Sequence, residues 1–257
     1  SPVTTNLAFD FNPAGRSNQD ADRLWTDGQT HLTVSDNFDW SNGGYQIDDE
    51  GDIFFCIKAG TTAEIDYKLF ADDAKKTGKN FKLIYKTTNV RDYDALALTC
   101  SDANIGFKVY AQNAVLTSEQ NDITVPYCED NYMELEFNIL PDSQYTEMVM
   151  WIDAVPTRVK LYSVSDSFTQ TNPQNIVIGS DDCDVWIYRM KSYTMNLTDD
   201  EILDNRIADA KNADEMVERY MRNQITGADG NIDPDILAEK CPELRIIKIS
   251  APHFTTG

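Results

Sequence analysis

A chain of 257 residues that is 41% hydrophobic and 11% aromatic can bury a substantial core, as one large domain with a small appendage or as two modest ones. Its 43 acidic residues against 22 basic ones leave a net charge of −21, which repels phosphate backbones and anionic headgroups and argues against nucleic acid and membrane surfaces as partners. No stretch approaches the ~18 apolar residues of a membrane-spanning helix, and the opening SPVTTNLAF, with neither an initiator Met nor a basic-then-apolar leader, reads as a processed chain or a piece of a longer one.

From about residue 4 to 193 the sequence is a procession of short strands. TTNLAF, THLTV, DIFFCIKA, AEIDYKLF and NFKLIYKT lead it, and YMELEFNI, EMVMWID, RVKLYSV, NIVIG and DVWIYRMKSY close it. Alternation puts Phe81, Leu83 and Tyr85 on one strand face and Lys82 and Lys86 on the other. Turn chemistry at 41–44 (SNGG), 48–51 (DDEG), 75–80 (KKTGKN) and 172–175 (NPQN) separates the strands. Many short strands with almost no helical period predict an all-β, antiparallel β-sandwich.

Between residues 16 and 46, aromatic and polar groups share turn-rich sequence. Trp25, Trp40 and Tyr45 stand there beside Asp27, Asp36, Asn37, Asp39 and Asn42. Rings that stack on a sugar, with carboxylates and amides for its hydroxyls, are what a glycan-binding rim requires. Trp25, Trp40, Tyr45, Asp39 and Asn42 are therefore the candidate ligand-binding residues. The competing expectation is that Trp25 and Trp40 plug the end of the core, while Trp151 and Trp186, in apolar-patterned strands, belong inside it.

Catalytic chemistry is poorly supported. A Ser-His-Asp or Cys-His site needs a well-placed histidine, and His31 opens a strand while His253 lies near the end of the chain. Neither GxSxG, HExxH nor a phosphate-cradling glycine loop occurs. Two carboxylates suffice for a glycosidase, but Glu134 and Glu136 in MELEF, like Glu64 and Asp66 in EIDYK, read as the solvent face of amphipathic strands. TGADGNID fails as a calcium loop, because the first, third and twelfth positions would be Ile225, Gly227 and Ile236. The cysteines Cys56, Cys100, Cys128, Cys183 and Cys241 are widely spaced without CxxC, which disfavours zinc and leaves buried thiols or one or two disulfides.

The character changes near Leu197. Thr198 and Glu201 stand at capping-box spacing with acids in the first turn, so a helix starts there, with Ile202, Leu203 and Ile207 as its buried stripe. A second helix is predicted from about Ala213, and a third from Pro234, capped by Asp233, to about Lys240. RIIKIS then reads as a lone strand that either pairs back or begins a further domain. The predicted division is a sandwich over 1–195 and a small helical extension over 196–257.

The stretch from Gly179 to Asp209, GSDDCDVWIYRMKSYTMNLTDDEILDNRIAD, resembles the closing signature of the LamG-like, concanavalin A-like jelly-roll family, and NLAFDFNPAGRSN resembles its first strand and turn. The hairpin MVMWIDAVPTRVKLYSV fits loosely, with Asp153-Ala154 where the family places Asn-Gly. The resemblance covers about residues 4–209. It implies a jelly roll of the kind found in glycan-binding and adhesion modules, enzyme accessories and phage virion proteins. It also implies a calcium site in which Asp184, entering the last strand, meets Asp10 and Asn12 from the first strand and its turn. The alternative is that Asp181 and Asp182 are solvated turn residues and Asp184 caps backbone amides.

These readings converge on a non-catalytic carbohydrate-binding or adhesion module of an extracellular or phage virion protein, at a virion or bacterial cell surface. Its expected partner is a glycan or cell-surface polysaccharide, with calcium as a candidate cofactor. The alternative is a structural virion protein, a capsid decoration or tail component, that contacts other virion or surface-protein chains.

Overall fold

The computed structural model describes residues 2–69, 71, 77–88, 95–101, 107–112, 118–119, 122–126, 133–139, 146–153, 157–163, 173–209, 228 and 245–250. The helices predicted from Ala213 and Pro234, the Asp229 turn, Cys128, Cys241 and His253 lie outside the described residues, as do the side chains of Cys100 and Trp151.

Among the described residues the chain forms two sheets. The strands are β1 (Leu7–Phe11), β2 (Leu32–Val34), β3 (Gly44–Ile47), β4 (Ile53–Ile57), β5 (Ala63–Ile65), β6 (Lys79–Thr88), β7 (Ala95–Ser101) and β8 (Phe107–Gln112), then β9 (Ser118–Glu119), β10 (Asp122–Pro126), β11 (Met133–Ile139), β12 (Thr146–Asp153), β13 (Thr157–Ser163), β14 (Pro173–Gly179), β15 (Asp184–Tyr193) and β16 (Arg245–Ser250). One sheet of nine runs β16-β13-β12-β11-β6-β15-β4-β3, with β1 also paired to β15; the other, of seven, runs β2-β5-β14-β7-β8-β10-β9. The pairs are antiparallel except β13 with β16 and β8 with β10. The protein is an all-β sandwich with a minor helix, α1 (Asp199–Asp209).

Period-two alternation builds the core. Phe81, Leu83 and Tyr85 of β6 point inward, with Phe137 opposite Phe81 and Leu135 opposite Leu83 on β11. Val185, Ile187 and Met190 of β15 continue the layer, and Leu32, Ile65, Ile176 and Ile178 supply it from the second sheet. Each such side chain contributes about 1.5–3 kcal/mol on burial. Strand β15 is the spine of the larger sheet. One edge pairs with β6, while the other is shared by β4, at Val185–Ile187, and β1, at Met190–Tyr193.

The outer face of that sheet differs from expectation. Glu136, read from its alternation as solvent-facing, is 0% exposed and accepts a hydrogen bond from the Asn80 amide. It points away from the core as predicted, into a polar layer that also holds Asn80, Lys82, Asn138 and Lys191 beneath the chain around α1. Asn138 exchanges hydrogen bonds with the backbone of Leu197 at 2.7 and 3.0 Å. Trp186 also faces outward, stacked on Phe54 at 3.9 Å with Lys86 near its ring, and lies outside the core expected for it.

Helix α1 begins as its sequence predicts. Thr198 N–H donates to Glu201 Oε1 at 3.1 Å and Glu201 N–H to Thr198 Oγ1 at 3.2 Å, a reciprocal capping box. Ile202 is buried, and Asn205 bridges the Val3 backbone and the Tyr193 hydroxyl. RIIKIS pairs back as β16, the outermost strand of the nine-stranded sheet. Cys56 and Cys183 are buried free thiols. No helix among the described residues is long and apolar enough to cross a membrane.

Candidate binding rim

The loops that follow β1 and precede β3 meet over one corner of the sandwich, and Asn18 ties them together. Its amide donates to the Trp40 and Gly43 carbonyls at 3.0 Å each, and its Oδ1 accepts the Tyr45 N–H at 2.8 Å. Gly44, at φ +81°, leaves no room for a side chain, because a Cβ there would strike Asn18 Oδ1 and the Trp40 ring.

On this frame sits an exposed turn. Asp39 Oδ1 accepts the Ser41 N–H at 2.9 Å and the Ser41 hydroxyl at 2.7 Å, and its Oδ2 accepts the Asn42 amide at 3.0 Å. Gly43 N–H donates to the Asp39 carbonyl at 2.7 Å, and Gln46 donates to the Asn42 carbonyl at 2.7 Å. The hydrogen bonds from Ser41, with a smaller one from Asn42, hold the Asp39 carboxyl below its usual range, so it stays ionised and acceptor-only.

The aromatic residues divide differently from the sequence expectation. Trp25 is 8% exposed and packs edge-on against Phe11 at 5.6 Å; Tyr45 is 7% exposed and packs on Phe55 at 5.2 Å. Both rings belong to the core and offer a ligand no open face, which corrects their assignment as stacking platforms. The Tyr45 hydroxyl accepts from Arg16 Nε and donates to the Arg23 carbonyl, each at 2.8 Å, and its burial pushes the phenol up. Trp40 is half-buried, edge-on to Phe38 at 4.9 Å and Phe55 at 6.0 Å, with the Arg23 guanidinium 4.4 Å from its ring centroid. Of the five predicted ligand residues, Asp39 and Asn42 come together at the surface and Trp40 lies beside them.

Asn18, Arg16 and Arg23 were not singled out in the sequence. The available signal was two arginines seven positions apart in RSNQDADRLW, since cations are scarce in this acidic chain.

The residues proposed for calcium do not fit the ion. Asp10 is taken by Arg189, Nε to Oδ1 at 2.6 Å and Nη2 to Oδ2 at 2.8 Å. Asn12 Oδ1 accepts the Ala14 N–H at 3.0 Å. Asp184 accepts the Ala59 N–H at 2.9 Å and the Lys58 ammonium at 2.8 Å. Asp10 stands opposite Lys191, whereas Asp184 begins the same strand and stands opposite Thr88. Seven residues of strand separate the two positions by roughly 23 Å, and calcium needs its oxygens within about 2.6 Å. No group of three or more metal-ligating side chains occurs among the described residues. Asp181 and Asp182 are exposed turn residues, and Asp184 ties the start of β15 to the turn after β4. In the other acidic pair, Asp66 holds His31 Nδ1 at 2.8 Å.

No family model matches the chain, and neither does any curated protein. Among solved structures, the binding domain of botulinum neurotoxin DC in complex with rat synaptotagmin II aligns over 88% of this chain and 55% of its own, at 11% identity and a TM-score of 0.51. The binding domain of botulinum neurotoxin serotype D gives 12% identity, the same coverages and the same TM-score of 0.51. A peanut lectin structure covers 72% of this chain and 95% of its own at 10% identity, but its TM-score of 0.42 carries no weight. The chain spans about half the length of the toxin domains, 55%, and what the likeness shows is the β-sandwich fold alone.

Proposed function

We propose that this chain is a non-catalytic binding module of the LamG-like, concanavalin A-like kind, taking a glycan or cell-surface polysaccharide at the 16–46 rim as part of an extracellular surface or virion protein. One observation carries the reading: the Asp39–Asn42 turn presents a carboxylate, a hydroxyl and an amide, fixed by hydrogen bonds and exposed beside a half-buried indole. Fixed acceptors and donors are what discriminate one sugar hydroxyl from another, and their prior ordering reduces the entropy lost on binding. The toxin domains that share the fold are named as binding domains, which is consistent with a module whose work is recognition.

A glycan array probed once with calcium and once with EDTA tests this. Hits that persist in EDTA support the rim, because Asp10, Asn12 and Asp184 do not converge on one ion. Hits lost on chelation overturn that part of the account. The competing reading, a structural virion protein working through protein–protein contacts, has its own observation in Ile47, 69% exposed on β3 at the end of the larger sheet. A silent array together with self-association in sedimentation, abolished by Ile47→Asp, would favour it.

A further inference from the structure

We propose that Arg23, held over Trp40, anchors the carboxylate of an acidic sugar, so that the ligand class of the rim is a uronate- or sialate-type glycan. The inference rests on the glycan-binding reading above and narrows it.

The chain carries 43 acids to 22 bases, and Arg16 and Arg189 have found partners. Arg16 donates to the Tyr45 hydroxyl and to the Asp22 carbonyl, and Arg189 makes a two-pronged pair with Asp10. Arg23 is half-buried, and its guanidinium meets the Trp40 ring at 4.4 Å. Among the described residues no carboxylate or carbonyl accepts from it, and the Trp40 indole N–H also lacks an acceptor there. An arginine positioned by an aromatic ring, with its N–H fork unspent, is preorganised for a planar two-oxygen anion.

Nearby carboxylates do not preclude this. Asp20 accepts the Ser17 N–H, Asp22 lies 3.9 Å from Arg16, and Asp39 is engaged by Ser41 and Asn42. The exposed Ser41 hydroxyl oxygen and the Asn42 side-chain Oδ1 remain as acceptors for the hydroxyls of the sugar.

The test is a titration of the ¹⁵N-labelled chain with galacturonate, N-acetylneuraminate and neutral galactose, following Arg23 Nε–H and Trp40 Nε1–H. At least one acidic sugar should shift both signals saturably in the millimolar range, at ~10-fold lower concentration than galactose. Arg23→Gln should weaken the acidic sugar by a similar factor with the rest of the spectrum unchanged, and Arg23→Lys should restore part of it. Equal binding of acidic and neutral sugars, binding indifferent to Arg23→Gln, or no shift with either acid overturns the proposal. Galactose binding at the rim that survives Arg23→Gln would overturn only the acidic class and leave the glycan module standing. A glycan-array hit that moves no rim signal would overturn both.

Discussion

Single residues decide whether an aromatic serves the core or a ligand, and here most of them serve the core. Trp25 packs between Phe9 and Phe11, at ring distances of 6.5 and 5.6 Å, so Trp25→Ala should cost about 3–5 kcal/mol in denaturant unfolding. A loss under 1 kcal/mol would mean the ring is not part of the core. Asn18→Ala removes three hydrogen bonds to the loop backbone and should cost about 2–3 kcal/mol by the same measurement. Burial pushes the Cys56 thiol up to about 12, with the Asp184 charge adding to it. Cys56 should therefore resist thiol reagents until the chain unfolds, and rapid labelling of native protein would contradict its placement. Composition marked residues 16–46 as aromatic and polar, but not which way each ring turns. That depends on Phe9, Phe11 and Phe55, which come from other strands.

At the level of elements, local chemistry was legible and its surroundings were not. The Thr198–Glu201 capping box and the alternation of Phe81, Leu83 and Tyr85 are written in neighbouring residues, and both form as read. Glu136 follows the same alternation outward, yet its hydrogen-bond donor on that face, Asn80, comes from β6, 56 positions away in sequence. Helix α1 ends on Asp209, whose carboxylate, 2% exposed, receives Lys82 at 3.1 Å, Lys191 at 3.0 Å and Arg189 at 3.6 Å. Burial alone would raise its pKa, but the three cations outweigh it and hold the carboxyl below the ordinary 3.8. A depressed carboxylate contributes its stability above the unfolded value and loses it as pH falls through the folded one. Asp209→Asn should thus be less stable than the wild type at pH 7, and the gap should close below about pH 4. A gap that stays constant down to pH 2 would contradict the ion-pair account. Thr198→Ala should cost about 1 kcal/mol through the lost cap.

Across the whole molecule, the sandwich class was readable because strand length, alternation and turn residues all agree. The placing of Asp10 and Asp184 was not. Asp184 opens β15 and Asp10 lies beside it on β1, but only the register of β1 and β6 along that strand shows that they occupy opposite ends. The strand and the helix start read in residues 179–209 both form, while Asp10 and Asp184 stand too far apart to share an ion. Among the described residues the arrangement leaves the Asp39–Asn42 turn exposed beside the half-buried Trp40 and Arg23, the corner at which we propose a ligand binds.

The most direct measurement is the affinity of the strongest array hit for the wild type, for the double variant Asp39→Ala/Asn42→Ala, and for Trp186→Ala on the outer face of the larger sheet. Glycan binding at the rim requires the double variant to lose at least ~10-fold in affinity while its unfolding midpoint stays close to wild type, with Trp186→Ala unaffected. Unchanged affinity in the folded double variant, or loss of binding in Trp186→Ala alone, would contradict the assignment of the site to this corner.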